Sequence, residues 1–85
     1  MHNERGKILW IDDEIDHLKP HILFLEEKGY KISISDNGKN GVIKSKERKF
    51  DLVLLDQFMP GIDGIEVLKE IKEDNPALPV IMITK

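Results

Sequence analysis

The sequence predicts an α/β fold in which helices cover a parallel sheet. The first observation is that four short apolar segments with strand character alternate with three segments of helical spacing. The second is that this βαβαβαβ order, with short connections and right-handed crossovers, is typical of parallel sheets. The third is that two of the apolar segments end abruptly at carboxylates. Open α/β sheets place their ligands at the carboxyl ends of their strands, so these acids are candidate site residues.

The strand predictions rest on runs of branched and apolar side chains. The predicted strands are Lys7–Ile11, Tyr30–Ser35, Asp51–Leu55 and Val80–Ile83. The second strand alternates apolar and polar residues, which suits an edge strand with one solvated face. The third strand is rich enough in branched side chains to be buried on both faces of the sheet.

The helix predictions rest on capping residues and on the spacing of apolar residues. The predicted helices run from Asp16 to about Lys28, from about Lys39 to Arg48, and from Asp63 to Glu73. Asp16 is expected to cap the first helix. The second helix has Val42 and Ile43 as its apolar residues, so we expect a thin buried stripe and the lowest stability of the three. The third helix is expected to bury Ile65, Leu68 and Ile71 or their neighbours.

Composition narrows the class of protein. The chain has 85 residues, no cysteine and a formal net charge of -3, and its size suits one small domain. The polar residues 1–6 are expected to form a flexible N-terminus before a domain of residues 7–85. The lack of cysteine, of a signal segment and of a membrane-length apolar run predicts a cytoplasmic location and no membrane partner. The acidic balance predicts no basic patch and no direct nucleic-acid binding.

The stretch Phe50–Gly64 contains the first candidate site residue. Its apolar first half ends at Asp56, and Met59-Pro60-Gly61 then prevents a continued strand, because proline lacks the N–H that a sheet requires. Asp56 is therefore expected at the carboxyl end of a central strand, followed by a loop. The residues of Met59-Pro60-Gly61 are expected to shape that loop rather than to carry chemistry.

A second group of acids follows the first predicted strand, where Asp12 and Asp13 come directly after Ile11. If the two strands are parallel neighbours, these carboxylates and Asp56 converge on one point. Their mutual repulsion destabilises the folded chain unless a cation is present. Oxygen ligands with no His or Cys among them favour a hard ion, so Mg²⁺ is the expected cofactor.

These residues together resemble the receiver domain of two-component response regulators, which has a CheY-like fold. The resemblance rests on the acidic pair, Asp56, the sequence Met-Pro-Gly-x-Asp-Gly in the next loop, and Thr84 after the fourth strand. It implies the strand order 2-1-3-4 with flanking helices. It also implies an incomplete flavodoxin-like (βα)5 fold, truncated because the fourth helix, fifth strand and fifth helix are missing after residue 85. Self-association is expected of such a chain, since its fourth strand is a bare apolar edge.

The resemblance implies a role for each candidate residue. Asp56 is the expected phosphoacceptor. Asp13 directly, and Asp12 largely through water, are expected to hold Mg²⁺ together with Asp56. The backbone carbonyl of Phe58 is expected to be a further ligand of the metal, and its side chain is hypothesised to shield the acyl phosphate from water. Thr84 is expected to supply the switch hydroxyl that bonds a phosphoryl oxygen.

The implied function is Mg²⁺-dependent transfer of a phosphoryl group to Asp56 from a sensor histidine kinase or a phosphotransfer protein. The resulting conformational change would control a C-terminal output module of the full-length protein. No enzyme activity is expected beyond the domain's own phosphotransfer and dephosphorylation. A narrower resemblance, carried by Leu9–Ile22 and Met82–Lys85, is to receivers fused to a PglZ-type output module.

Two other functions fit parts of the pattern. The alternative to a signalling receiver is a degenerate receiver that acts as a protein-interaction scaffold, and Mg²⁺ affinity separates the two. A haloacid-dehalogenase-like phosphatase also uses an Asp nucleophile at a strand end. That class has a second Asp two residues later, where this chain has Phe58, and it is set aside for that reason.

Overall fold

The computed structural model describes residues 5–84. Four strands within this range form one parallel sheet. The strands are β1 (Gly6–Ile11), β2 (Tyr30–Ser35), β3 (Leu52–Asp56) and β4 (Val80–Ile83). Their order is β2-β1-β3-β4, which confirms the α/β class and the 2-1-3-4 order. Of the six residues predicted to form a flexible N-terminus, 1–4 lie outside the described residues, and β1 starts at Gly6, one residue earlier than predicted.

The first helix begins later than predicted. A 3-10 helix of Ile15–Leu18 precedes α1, which spans Lys19–Glu27. The prediction that Asp16 caps this helix is wrong, because Asp16 lies inside the 3-10 turn and no side chain caps α1. Pro20 lies in the first turn of α1, which is where a helix tolerates a residue without an N–H. The position of Pro20 therefore accounts for the late start.

The second helix, α2, spans Gly38–Glu47 and packs closely on the sheet. Asn37 caps it, since its side-chain oxygen accepts the backbone N–H of Asn40 at 2.8 Å. Its buried residues are Gly38, Gly41, Val42 and Ser45. The expected thin stripe is thus made mostly of small residues, while Ile43 is exposed. A Cβ added at Gly41 would collide with the side chain of Ile11, so this glycine permits the close approach of α2 to β1.

The third helix, α3, spans Gly64–Asp74 and is capped by Asp63, whose carboxylate accepts the N–H of Ile65 at 3.0 Å. The predicted stripe of Ile65, Leu68 and Ile71 or their neighbours is found in part, because Ile71 is buried whereas Ile65 is 42% exposed. The buried large residues are Val67 and Ile71, which are spaced by four along the helix. The direction in which α3 leaves the loop selects this stripe over the one that starts at Ile65.

The core lies between the sheet and the helices α2 and α3. Four residues of the central strands face it and are fully buried, namely Leu9, Ile11, Val53 and Leu55. The opposite face carries Trp10, which lies against α1. No residue of α1 is fully buried, and Leu23 and Phe24 are exposed. Within residues 5–84, no helix has the length and apolar character that a membrane span requires.

Candidate functional site

Three carboxylates meet at the carboxyl edge of the sheet. Asp12, Asp13 and Asp56 each offer one oxygen, and these oxygens all lie within 4.8 Å of one another. The register explains the convergence, because Ile11 of β1 lies opposite Leu55 of β3. The next residue in each segment is Asp12, just after β1, or Asp56, the last residue of β3. These two acids therefore lie side by side. This is the convergence that the two strand ends predict.

Two of the three carboxylates are buried and held by the backbone. Asp12 and Asp56 are 1% and 0% exposed, whereas Asp13 is exposed. The N–H of Glu14 donates to Oδ1 of Asp12 at 2.9 Å, and the N–H of Phe58 donates to Oδ1 of Asp56 at 3.1 Å. A buried charge without such donors is strongly disfavoured. Each buried acid is thus held in place by the turn that follows its own strand.

The charges of the cluster affect the pKa of Asp13. Partial loss of hydration raises the pKa of this carboxyl, and the hydrogen bond to Asp56 and the negative charges of Asp56 and Asp12 raise the pKa further. A raised pKa means that the cluster disfavours the charged form of Asp13 in the folded chain. A cation bound among the three oxygens would remove this penalty.

The loop after β3 is shaped by glycine at both of its turns. Gly64 begins α3, and its N–H donates to the carbonyl of Gln57 at 3.1 Å. A Cβ at Gly64 would lie 2.7 Å from Cα of Gln57 and 2.9 Å from the carbonyl oxygen of Asp56. Gly61 has a φ of 91°, a conformation that other residues rarely adopt. The loop therefore turns back tightly beside Asp56.

Met59 has a role that sequence reasoning missed. The sequence predicts only that Met59 shapes the loop, but its side chain is 8% exposed and belongs to the hydrophobic core. This buried side chain anchors the loop between the exposed residues Phe58 and Pro60. An apolar residue within an otherwise turn-forming sequence is the signal that could have indicated an anchor.

Phe58 and Thr84 lie after β3 and β4, at the rim of the carboxyl edge of the sheet. Phe58 is 63% exposed and, with Asp13 and Asp63, lines an open cleft of about 610 Å³. Thr84 follows β4, whose last residue, Ile83, lies opposite Asp56 and accepts the N–H of Gln57 at 3.0 Å. Thr84 is exposed at this edge of the sheet. Phe58 thus lines the cleft itself, whereas Thr84 is near Asp56 only through the pairing of β4 with β3.

The donor set of the cluster fits a hard divalent cation. All three side chains offer carboxylate oxygens, which suit Mg²⁺ better than a softer metal. One of the three, Asp13, faces solvent, so a cation held here would keep part of its water shell. Mg²⁺ typically retains several waters and takes one or two carboxylates, so it would bind some of these three acids directly and reach the rest through water.

Comparison with known proteins agrees with the fold. Residues 8–85 match the model of the response regulator receiver domain family. The transcriptional regulatory protein ZraR of Klebsiella oxytoca is 43% identical over 84 residues, which is 99% of this chain and 19% of that protein. The transcriptional regulatory protein ResD of Bacillus subtilis is 44% identical over 78 residues, 92% of this chain and 32% of that protein.

A solved structure shows the same architecture. The response regulator TrrA of Thermotoga maritima, crystallised in complex with Mg²⁺-BeF, has a TM-score of 0.85 and 37% identity, covering 92% of this chain and 68% of that one. TrrA has also been crystallised in complex with the histidine kinase ThkA. This chain spans about a third or less of the two curated relatives above. By sequence and by fold, the chain belongs to the response regulator receiver domain family of two-component systems.

Proposed function

We propose that this receiver accepts a phosphoryl group on Asp56 from a phosphohistidine of a sensor kinase or phosphotransfer protein, with Mg²⁺ as cofactor. The observation that carries the proposal is the carboxylate of Asp56, buried and held by the N–H of Phe58, beside two further acids at an open cleft. TrrA, which shares this fold, binds Mg²⁺-BeF and a histidine kinase, and these properties support the same two partners here.

The chemistry assigned to Asp56 is nucleophilic. A carboxylate oxygen of Asp56 attacks phosphorus, the new P–O bond forms as the P–N bond to the donor imidazole breaks, and the imidazole leaves with the electron pair. Asp13 directly, Asp12 largely through water, Asp56 and the backbone carbonyl of Phe58 would hold the metal. When bound, Mg²⁺ neutralises charge on the transferring group.

Phe58 and Thr84 have proposed roles at the rim. The exposed ring of Phe58 beside Asp13 supports a role in keeping water from the acyl phosphate. We therefore expect Phe58→Asn to speed dephosphorylation, as measured by decay of the phosphorylated protein in gel assays. An unchanged lifetime would contradict this role. Thr84, which follows the strand next to Asp56, is proposed to bond a phosphoryl oxygen through its hydroxyl.

We also propose where this receiver is located and what kind of module it controls. A cytoplasmic receiver that controls a C-terminal output module fits the relatives, which are named as transcriptional regulators and are longer than this chain. The domain's only catalysis is proposed to be its own phosphotransfer and dephosphorylation. The PglZ-type output module stays a prediction, because these relatives lend it no support.

Self-association of the 85-residue chain is a separate proposal. β4 pairs only with β3 within the described residues, and its residue Ile81 is 52% exposed. An apolar edge strand of this kind readily pairs with another copy. Light scattering on the 85-residue chain should give a mass above that of the monomer, and Ile81→Lys should lower it. A monomer at high protein concentration would contradict the proposal.

The main test is a Mg²⁺ titration of the chain and of its Asp13→Asn variant. Trp10 is 7% exposed and two residues before Asp12, so its fluorescence can report binding, with thermal stability as a second readout. We expect a saturable response that weakens by about tenfold or more in the variant, which is the loss of one charged contact. The matched control is Asp63→Asn, an acid of the same cleft that caps α3 and lies outside the cluster. No response from a folded chain would favour the scaffold alternative.

A further inference from the structure

A second charged site lies at the amino edge of the sheet, where the parallel strands begin. A cavity of about 200 Å³ is lined by residues of β1, β2 and the segment after α2. Its lining residues are Lys7, Lys31, Ser33, Arg48, Lys49 and Phe50. We propose that this cavity binds a small phosphate-bearing anion.

Four cations from three separate segments line this one cavity, although the chain as a whole carries a net charge of -3. The sequence predicts no basic patch from that balance, and the structure overturns this expectation. Lys7 and Lys31 lie directly opposite each other in the register of β1 and β2. Like charges in opposite positions on neighbouring strands destabilise a sheet, so their pairing carries a cost that a bound anion would remove.

No acid in the described part of the chain forms an ion pair with any of these four cations. Asp51 follows Lys49 by two residues, and its carboxylate is engaged elsewhere. Its Oδ2 accepts the backbone N–H of Lys7 at 2.7 Å, and its own N–H donates to the carbonyl of Lys7 at 2.7 Å. Asp51 therefore ties two backbone segments together and is not among the residues that line the cavity.

The C-terminus of α2 explains only part of the cluster. Its terminal carbonyls carry a partial negative charge that favours Arg48 and Lys49 at this position. Lys7 and Lys31 belong to strands, however, and approach the cavity from the sheet. A helix dipole therefore accounts for two of the four cations, and the two on the strands point to a ligand.

The remaining groups indicate the class of ligand. A guanidinium can bind phosphate through two parallel hydrogen bonds, and lysines bind it as point charges. The hydroxyl of Ser33 adds a neutral donor, and the half-buried ring of Phe50 packs against the core and gives the cavity a rigid wall. The small volume suits a compact phosphate group. This inference is independent of the phosphoacceptor function proposed for Asp56.

The experiment is a titration with inorganic pyrophosphate, followed by thermal unfolding and by ¹H–¹⁵N NMR. It is done without Mg²⁺ and with EDTA, because pyrophosphate binds that metal. We expect saturable stabilisation of at least about 4 °C, which is the shift that a modest binding energy produces in a domain of this size. The amide shifts should centre on residues 31–33 and 48–50 and spare residues 12–14 and 56–58.

Variants decide whether the cavity itself is responsible. Lys7→Gln combined with Lys31→Gln should weaken pyrophosphate binding by about tenfold or more. The matched control is Lys39→Gln combined with Lys69→Gln, which removes the same charge from exposed positions outside the cavity and should leave binding unchanged. Two results would overturn the proposal: an equal stabilisation by NaCl at matched ionic strength, or binding that the cavity variant retains.

Discussion

The two edges of the sheet gather charges of opposite sign in different ways. At the carboxyl edge, Asp12 and Asp56 are buried and accept backbone N–H groups, so their positions are fixed. At the amino edge, Lys7, Lys31 and Arg48 are exposed and carry their charges on long side chains. Short buried acids are preorganised for a small ion, whereas long exposed cations adapt to a ligand and lose conformational freedom when they bind it. The comparison predicts large, specific effects at the first edge and small, salt-sensitive effects at the second.

The largest expected effect is at Asp56. Asp56→Asn removes the nucleophilic carboxylate while keeping the size of the side chain, so labelling by acetyl phosphate should disappear. Intact-mass spectrometry measures the phosphoryl adduct. Asp63→Asn is the matched control, because Asn also caps helices well, and it should retain labelling. A labelled Asp56→Asn protein would show that another residue accepts the phosphoryl group.

The next effect tests how tightly the loop is held at the carboxyl edge. Gly64→Ala places a Cβ 2.7 Å from the backbone of Gln57 and should lower the free energy of unfolding by about 2 kcal/mol. Gly61→Ala meets no atom within 4 Å and should cost about 1 kcal/mol, through its positive φ alone. Urea unfolding measures both variants. An equal loss of unfolding free energy in the two variants would mean that the close approach of Gly64 to the backbone of Gln57 does not contribute to stability.

A smaller effect concerns Asp13 in the metal-free chain. The folded chain raises the pKa of Asp13 above its usual 3.8, so ionisation of this group destabilises the fold once the pH exceeds that value. Asp13→Asn should therefore raise Tm by a few degrees near neutral pH. The gain should shrink as the pH falls through the raised pKa and should vanish below about 3.8, where both states of the wild-type residue are protonated. A variant less stable than wild type at neutral pH would indicate that Asp13 is a structural cap.

The smallest effect is expected at the amino edge. Lys31→Gln relieves the repulsion with Lys7 and should raise the free energy of unfolding by roughly 0.3 kcal/mol in low salt. Because both side chains are exposed, about 1 M NaCl should screen most of this gain. Urea unfolding of the variant at two salt concentrations measures it. A gain that persists in high salt would contradict the view that these cations are solvated and mobile.

Much of the fold could be predicted from the sequence because it rests on local patterns. The strand bounds of β2 and β4 and the sites of the acids follow from apolar runs and from the residues that end them. The start of α1 and the burial of Val67 instead of Ile65 could not be predicted in this way. Both depend on how a helix leaves its preceding loop, which local spacing does not specify. The buried side chain of Met59 is of the same kind, since only the core below the loop makes room for it.

The sequence by itself determined the α/β class, the strand ends and the acidic groups of the carboxyl edge. These features follow from hydrophobic periodicity and turn chemistry, which act over a few residues. Only the tertiary structure decided that Lys7, Lys31 and Arg48 share one cavity. These residues are far apart in the chain, and the parallel register of β1 with β2 places the two lysines together. Net charge averages over the whole chain, so it conceals a local cluster that strand pairing creates.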